Sequence, residues 1–498
     1  MSSQKPSYVL VTGATGFIGA HVVDNLLARG FSVRGSTRSK QKGEQMKAAR
    51  PQYASKLDFV VVEDFTQIGV FDSVMDGIDA VIHVASPFFY DTTNNEQELI
   101  LPAINGVKSI LSASAQSGSK VQRLVMTSSF ASVVNPSSTP EPGFTYTAAN
   151  WNPLTYEEAI DPKSDSVTAY RGSKKFAEIA AWDFVKEHKT KFDLVTLCPP
   201  MVFGPVVHPV PTVQQLNESN MVLWSVASGA DPLPVTRVPG WIDARDLAEV
   251  HVQALLTPEA GGKRFVAASP EPFSYEYAAD IIRDEFDWAK ETVTTNYTMG
   301  QKPVGSYGID GDTAARELGI KYRPFKETVI DLVGQIRKLA EWKLESPNRL
   351  KLLSDKGADA NAGIALYHAS RGRKEIVKLL LDKGADTNLY GGFYGTALQA
   401  ASMEGHNEIV KMLLENGANA DTQTKVSQQT ALHVASAVGN NEIVRSLLDN
   451  GADTKVQDNY EDTALQEASE NGHIEFVQML LENGVEMKAQ GPEDRAAL

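Results

Sequence analysis

The stretch that most limits what this chain can become is Val11-Thr12-Gly13-Ala14-Thr15-Gly16-Phe17-Ile18-Gly19, set between the apolar run Tyr8-Val9-Leu10 and the amphipathic segment Ala20 to Arg29. It reads as a strand, a glycine-rich turn and a helix. Gly13 allows the tight turn, Gly16 lets backbone approach a pyrophosphate with no Cβ in the way, and Gly19 lets the helix lie close on the sheet. The helix N-terminus then offers free N–H groups and a positive dipole end to phosphate. A turn of this kind, placed between strand and helix, predicts dinucleotide binding. Thr15, Phe17 and Ile18, between the glycines, are grouped with them at the cofactor.

The second strand bears on which dinucleotide fits. A site for NAD places Asp or Glu about twenty residues after the turn, where the carboxylate accepts hydrogen bonds from the ribose 2′-OH. Here that place reads Ser32-Val33-Arg34-Gly35-Ser36-Thr37-Arg38, with no acid. Arg38 can instead form a bidentate pair with a 2′-phosphate, while Arg34, Lys40 and Lys42 add positive field. The expected cofactor is therefore NADP(H). Asp79 to Ser86 reads as a further strand running into the small-residue turn Val84-Ala85-Ser86, as needed where backbone lies along a cofactor. His83, inside that strand, reads as a core or orienting histidine. Phe88, Phe89 and Tyr90 follow, and either line an apolar substrate pocket or cap the sheet.

At 498 residues the chain exceeds one ordinary domain. A formal net charge of −15 argues against a nucleic-acid-binding surface, which needs clustered Lys and Arg. The one cysteine, Cys198, can form neither an internal disulfide nor a multi-cysteine metal site, so no metal is expected and a reducing compartment fits. Met1 to Ser7 is short and polar, and no apolar run approaches bilayer length. The expected location is the cytosol, with no membrane partner.

Two later segments carry chemistry. Arg123 to Ser129 reads as a strand with hydroxyls at its carboxyl end, the end at which open α/β sheets bind ligands. Tyr170-Arg171-Gly172-Ser173-Lys174 begins a helix continuing through Phe176, Ile179, Ala180 and Phe184 toward His188. Tyr170 and Lys174, four apart, share one face of it. Leu194 to Cys198 reads as a strand entering the proline-rich loop Pro199-Pro200, with Cys198 a small core residue.

The G-x-x-G-x-x-G spacing after a threonine, with Ser129 about forty residues before the Tyr-x-x-x-Lys pair, resembles the extended short-chain dehydrogenase/reductase superfamily. The resemblance implies an α/β fold, a Rossmann-type doubly wound parallel sheet with a smaller substrate lobe, and a Ser129–Tyr170–Lys174 triad. Lys174 would hold the nicotinamide ribose and lower the tyrosine pKa through its charge. Tyr170 would protonate the developing alkoxide, and Ser129 would stabilise charge on the carbonyl oxygen. Ser129 is chosen over Ser128 because it precedes the Ala-like position, here Phe130. Asp64 resembles the acid that bonds the adenine amino group, and Pro199 the residue that meets the nicotinamide ring.

Gly240 to Ala248 resembles the family segment F-V-D-V-R-D-V-A, with structural Asp and Arg residues. Asn150 to Glu158 together with Ala169 to Lys175 is similar, more narrowly, to fungal and yeast ketoreductases related to NADPH-dependent methylglyoxal and aldehyde reductases. Plant dihydroflavonol and cinnamoyl-CoA reductases are more distant kin. The likeness covers about 5 to 342. Val134 stands where the flavonoid reductases carry an asparagine, which speaks against a flavonoid substrate. The substrate lobe is expected mainly from 206–236 and 269–323. Phe88, Phe130, Val134, Met201 and Trp224 are its candidate pocket residues by position and apolar character.

After Trp342 a repeat takes over. Gly357-Ala358-Asp359, Gly384-Ala385-Asp386, Gly417-Ala418-Asn419, Gly451-Ala452-Asp453 and Gly484-Val485-Glu486 recur mostly at about thirty-three residues, a spacing that resembles the ankyrin repeat. Thr396-Ala397-Leu398, Thr430-Ala431-Leu432-His433 and Thr463-Ala464-Leu465 each open a first helix, with His433 hydrogen bonding inside the stack. The interval between the first two units is about six residues short between Asn361 and Ile364, and the unit Asn348 to Asp359 lacks its leading helix. The expected domains are a reductase over 1–343 and an all-α ankyrin solenoid over 344–498, with about four repeats, the first incomplete.

Such stacks bind protein and carry no chemistry of their own. The function expected is NADPH-dependent reduction of a small or medium aldehyde or ketone, with the ankyrin unit available to a protein partner. An NAD(P)-dependent epimerase or dehydratase, and an NADP(H)-sensing ankyrin scaffold without turnover, are the alternatives.

Overall fold

The computed structural model describes residues 7–86, 94–135, 141, 143–210, 212–301, 307–344, 366–367, 370, 372, 374–382, 384–392, 395–424, 428–458 and 463–482. The expectations placed on Phe88, on the unit Asn348 to Asp359, on the short interval ending at Ile364 and on Gly484-Val485-Glu486 lie outside these. The chain divides into two compact units, Met1–Trp342 and Lys343–Leu498.

In the first unit, seven strands form one sheet: β1 (Tyr8–Thr12), β2 (Ser32–Thr37), β3 (Leu57–Val61), β4 (Ala80–His83), β5 (Arg123–Thr127), β6 (Asp193–Cys198) and β7 (Arg264–Val266). Their order is β7-β6-β5-β4-β1-β2-β3, and every neighbouring pair is parallel. Parallel sheets need both faces covered, and the side chains divide accordingly. Val9, Val11, Ile82, Val125, Val195 and Leu197 enter the core under the helices Phe17–Ala28 and Ala244–Leu256. Leu10, Val81, Leu124, Met126 and Leu194, one residue out of step, enter the core under Leu101–Ala115 and Ser166–His188. The two-residue period of a strand produces both cores from one short run.

Strand order reverses between β1 and β4, which opens a crevice at the carboxyl ends where a doubly wound sheet binds its ligand. The glycine turn, Ser86 and Ser129 all leave the sheet on that side. A separate core joins the helices Glu218–Ala227, Tyr275–Glu285 and Phe325–Leu344 around Phe203, Trp241 and Phe273. It includes Phe325, Val329 and Leu332, so this lobe draws on more of the chain than 206–236 and 269–323.

In the second unit the described helices pair as Ala397–Met403 with Asn407–Glu415, Ala431–Val438 with Asn441–Asp449, and Ala464–Glu470 with Ile474–Glu482. Lys374–Asp382 precedes them. Thr396, Thr430 and Thr463 begin the first helices through reciprocal capping with Gln399, His433 and Gln466. His433 Nδ1 accepts the Thr430 N–H at 3.2 Å, so the histidine does bond inside the stack. The second helices bury Ile409, Val410 and Leu413, then Ile443, Val444 and Leu447, in a core continuous from repeat to repeat.

Candidate active site

Gly13 has φ +66°, and a Cβ there would stand 3.0 Å from Ala85 N in the turn after β4. A Cβ on Gly19 would stand 2.2 Å from Gly13 O. The turn is therefore as tight as its glycines allow. Helix α1 (Phe17–Ala28) starts from Gly16 with no side-chain cap and no acid in its first turn, which leaves its amide donors to an anion. Thr15 Oγ1 lies 3.4 Å from Thr37 Oγ1, tying the turn to β2. By shape and by donor set, this cradle fits a dinucleotide pyrophosphate.

Arg38 follows β2 exposed, and Lys42 is exposed in the first turn of helix α2 (Lys40–Ala48). Arg34 adds no free field. Its guanidinium pairs with Asp58 at 2.9 Å and donates to Val74 O. Asp64 is exposed and accepts from Thr66 N, Thr66 Oγ1 and Gln67 Nε2 at 2.9, 2.6 and 3.0 Å, bonds that hold its carboxyl below the usual range.

The other end of the crevice carries the hydroxyls. Ser129 is extended backbone capping the turn Phe130–Ser132, with its Oγ accepting from Ala131 N at 3.1 Å. Ser128 is buried and turned the other way, donating to Glu178 at 2.6 Å. The helix Ser166–His188 begins a turn earlier than Tyr170, because Asp165 caps it by accepting from Thr168 N at 2.7 Å. Tyr170 and Lys174 thus sit inside a formed helix.

The Ser129 side chain faces the Tyr170 phenol closely enough to draw its pKa down, and Lys174 Nζ lies 5.4 Å from the Tyr170 ring centre while donating to Ser86 Oγ at 2.6 Å. Three distant segments therefore meet at one place. Burial pushes Tyr170 up to about 12, the Ser129 hydroxyl pulls the other way, and Glu218 adds to the rise. Burial also brings Lys174 down to about 8. The expectation that Lys174 lowers the phenol pKa is not met in this form, in which burial dominates.

His83 is buried against Thr12, and its tautomer follows from counting. Thr12 Oγ1 accepts from Val84 N and Ala85 N at 3.1 Å each, which leaves its one proton for His83 Nδ1 at 2.8 Å. Burial and the Lys174 charge hold the imidazole down to about 4, so the neutral ring carries its proton on Nε2. Cys198 is a buried free thiol that burial raises to about 12, which suits packing and not attack.

The described candidate pocket residues fall in two apolar clusters. Phe130 and Val134 are 2% and 7% exposed in a cluster with Tyr146 and Cys198, whereas Met201 and Trp224 lie against the core of the smaller lobe. Trp224 meets Trp288 with ring centres 6.5 Å apart. Pro199 closes the loop after β6 onto the serine turn, its carbonyl accepting from Phe130 N at 2.8 Å. Sequence reasoning passed over Glu178 and Arg264. The signal available was a carboxylate four residues past Lys174, on the face already holding the pair.

A doubly wound sheet with a glycine cradle and a Ser, Tyr, Lys cluster at its carboxyl edge defines a dinucleotide-binding class. The chain belongs to the NAD dependent epimerase/dehydratase family, whose model matches residues 9–268, and an ankyrin-repeat model matches 340–424 and 398–491. It is 36% identical over 344 residues to the NADPH-dependent methylglyoxal reductase GRE2 of Saccharomyces cerevisiae, covering 66% of this chain and 98% of that protein. It is 34% identical over 343 residues to the ketoreductase azaE of Aspergillus niger, covering 67% and 98%. The crystal structure of yeast methylglyoxal/isovaleraldehyde reductase Gre2 complexed with NADPH superimposes with a TM-score of 0.63 at 35% identity, over 67% of this chain and 99% of that one.

Proposed function

We propose that the chain is an NADPH-dependent reductase of small or medium aldehydes and ketones. The observation that carries this is the meeting of Ser129, Tyr170 and Lys174 beside the glycine cradle, and the relatives' names agree with it. The cradle and α1 would hold the pyrophosphate, Arg38 and Lys42 would meet a 2′-phosphate, and Asp64 and Pro199 would contact the adenine and nicotinamide ends. Val84, Ala85 and Ser86 supply the backbone along the cofactor. Bound NADPH supplies a hydride. Ser129 donates to the carbonyl oxygen and stabilises its growing charge. Tyr170 gives its proton to that oxygen, and Lys174, now on Ser86, would hold the cofactor ribose. A reducing compartment such as the cytosol suits the buried thiol of Cys198.

NADPH and NADH oxidation against a panel of carbonyls tests the reading. It expects turnover that prefers NADPH, lost about 10²–10⁴-fold in Tyr170→Phe with cofactor binding kept. Cofactor binding with no oxidation by any carbonyl would instead favour an NADP(H)-sensing scaffold. The ankyrin unit is proposed to bind protein, and its acidity suits a basic partner. Pulldown on the segment from Asn348 onward, compared with the whole chain, tests that part.

A further inference from the structure

Glu178 lies four residues past Lys174 and eight past Tyr170, on the same face of the helix Ser166–His188. Its carboxylate is 0% exposed. Arg264, opening β7, reaches it with Nε at 2.8 Å and Nη2 at 3.1 Å, and Ser128 and Ser132 donate to it at 2.6 and 2.7 Å. Those serines bracket Ser129 in sequence. Ser132 Oγ also lies 2.7 Å from the Ser129 carbonyl and accepts from Arg264 Nη2 at 2.9 Å. Arg264 continues to Ala148 O at 2.9 Å and stacks over the Trp151 ring at 3.8 Å. Burial would push the Glu178 carboxyl up, but these bonds hold it below the ordinary range, so it stays ionised.

A buried ion pair is a poor device for stability, because well-packed apolar side chains of similar volume commonly do as well or better. What this pair adds is direction. One carboxylate, fixed on the helix that carries Tyr170 and Lys174, grips the turn that carries Ser129 on both sides. We propose that Glu178, held by Arg264, is a positioning residue that sets the Ser129 hydroxyl at the Tyr170 phenol. It touches neither cofactor nor carbonyl and acts through Ser129. This rests on the reductase reading above.

The test is a double-mutant cycle in the full chain loaded with NADPH, using Glu178→Gln, Ser129→Ala and both together. Displacing a catalytic group by about 1 Å costs on the order of 10²-fold, so Glu178→Gln is expected to lower kcat about 10–100-fold, with the NADPH Kd within about twofold. In the Ser129→Ala background the same change is expected to move kcat less than about twofold. Equal fold losses in both backgrounds, or wild-type kcat in Glu178→Gln, would overturn the proposal.

Should Glu178→Gln fail to fold, the pair Glu178→Leu with Arg264→Leu removes both buried charges and enters the same cycle with the same outcomes. A readout without turnover separates this proposal from the reductase reading. The Tyr170 ¹³Cζ shift at neutral pH reports the phenol's hydrogen bond. Glu178→Gln is expected to move it to the Ser129→Ala position. An unmoved shift would overturn the proposal even in an active enzyme, whereas a moved shift in a chain that reduces no carbonyl would fault only the reductase reading.

Discussion

Lys174 and Tyr170 are both shifted by burial toward their neutral forms, and the consequences differ. The lysine, down to about 8, is charged below that pH and loses its charge as pH rises through it. The phenol, up to about 12, keeps its proton throughout the working range and is available as an acid. Because kcat/KM for NADPH reports the free protein, it is expected to fall about tenfold per pH unit above roughly pH 8. Lys174→Arg keeps its charge to far higher pH, so in a pH–rate series that limb should disappear even if the overall rate is lower. The same limb in both proteins would assign it to another group. That Tyr170 and Lys174 share a helix face was legible from their spacing, while their role was read only with the glycine turn, Ser129 and the family resemblance. Glu178 was not, because its meaning lies in Arg264, far along the chain on another strand. Ser128 and Ser129 could be told apart from sequence only by resemblance. In the structure a buried carboxylate takes Ser128, while Ser129 faces the phenol.

At the scale of the element, the strand–turn–helix of β1 and α1 was readable because its glycines are demanded by contact, not merely tolerated. A Cβ on Gly19 would run into the Gly13 carbonyl, which is backbone and cannot swing aside. Gly19→Ala is therefore expected to cost about 1–3 kcal/mol of stability by overpacking. It should also weaken NADPH binding more than about tenfold as the turn opens. Calorimetry and fluorescence titration measure both, and an unchanged Kd would mean that the turn does not set the phosphate site. The helix of Tyr170 was read one turn short because its start is fixed by the Asp165 side chain, not by the apolar pattern. Arg34 was misread for the opposite reason. A basic residue in a turn looks free until its neighbouring strand supplies Asp58.

At the scale of the whole molecule, the change from a strand-and-helix pattern to a thirty-three-residue repeat was legible in the spacing of Gly-Ala-Asp units. The chain passes from the first compact unit to the second between Trp342 and Lys343. The smaller lobe was harder to read, because Phe203, Trp241 and Phe325 reach its core from outside 206–236 and 269–323. For the same reason the pocket residues Phe130, Val134, Met201 and Trp224 divide between two clusters, and the substrate is defined by chemistry before shape. The central claim is that a phenol, an ammonium and an alcohol from distant segments act on one carbonyl beside one cofactor. Its most direct measurement is a single turnover of the full chain with NADPH deuterated at C4 and an accepted carbonyl. One deuterium is expected on the carbinol carbon, delivered about 10²–10⁴-fold more slowly by Tyr170→Phe. Transfer at the wild-type rate in that variant, or no transfer to any carbonyl by the wild-type chain, would contradict it.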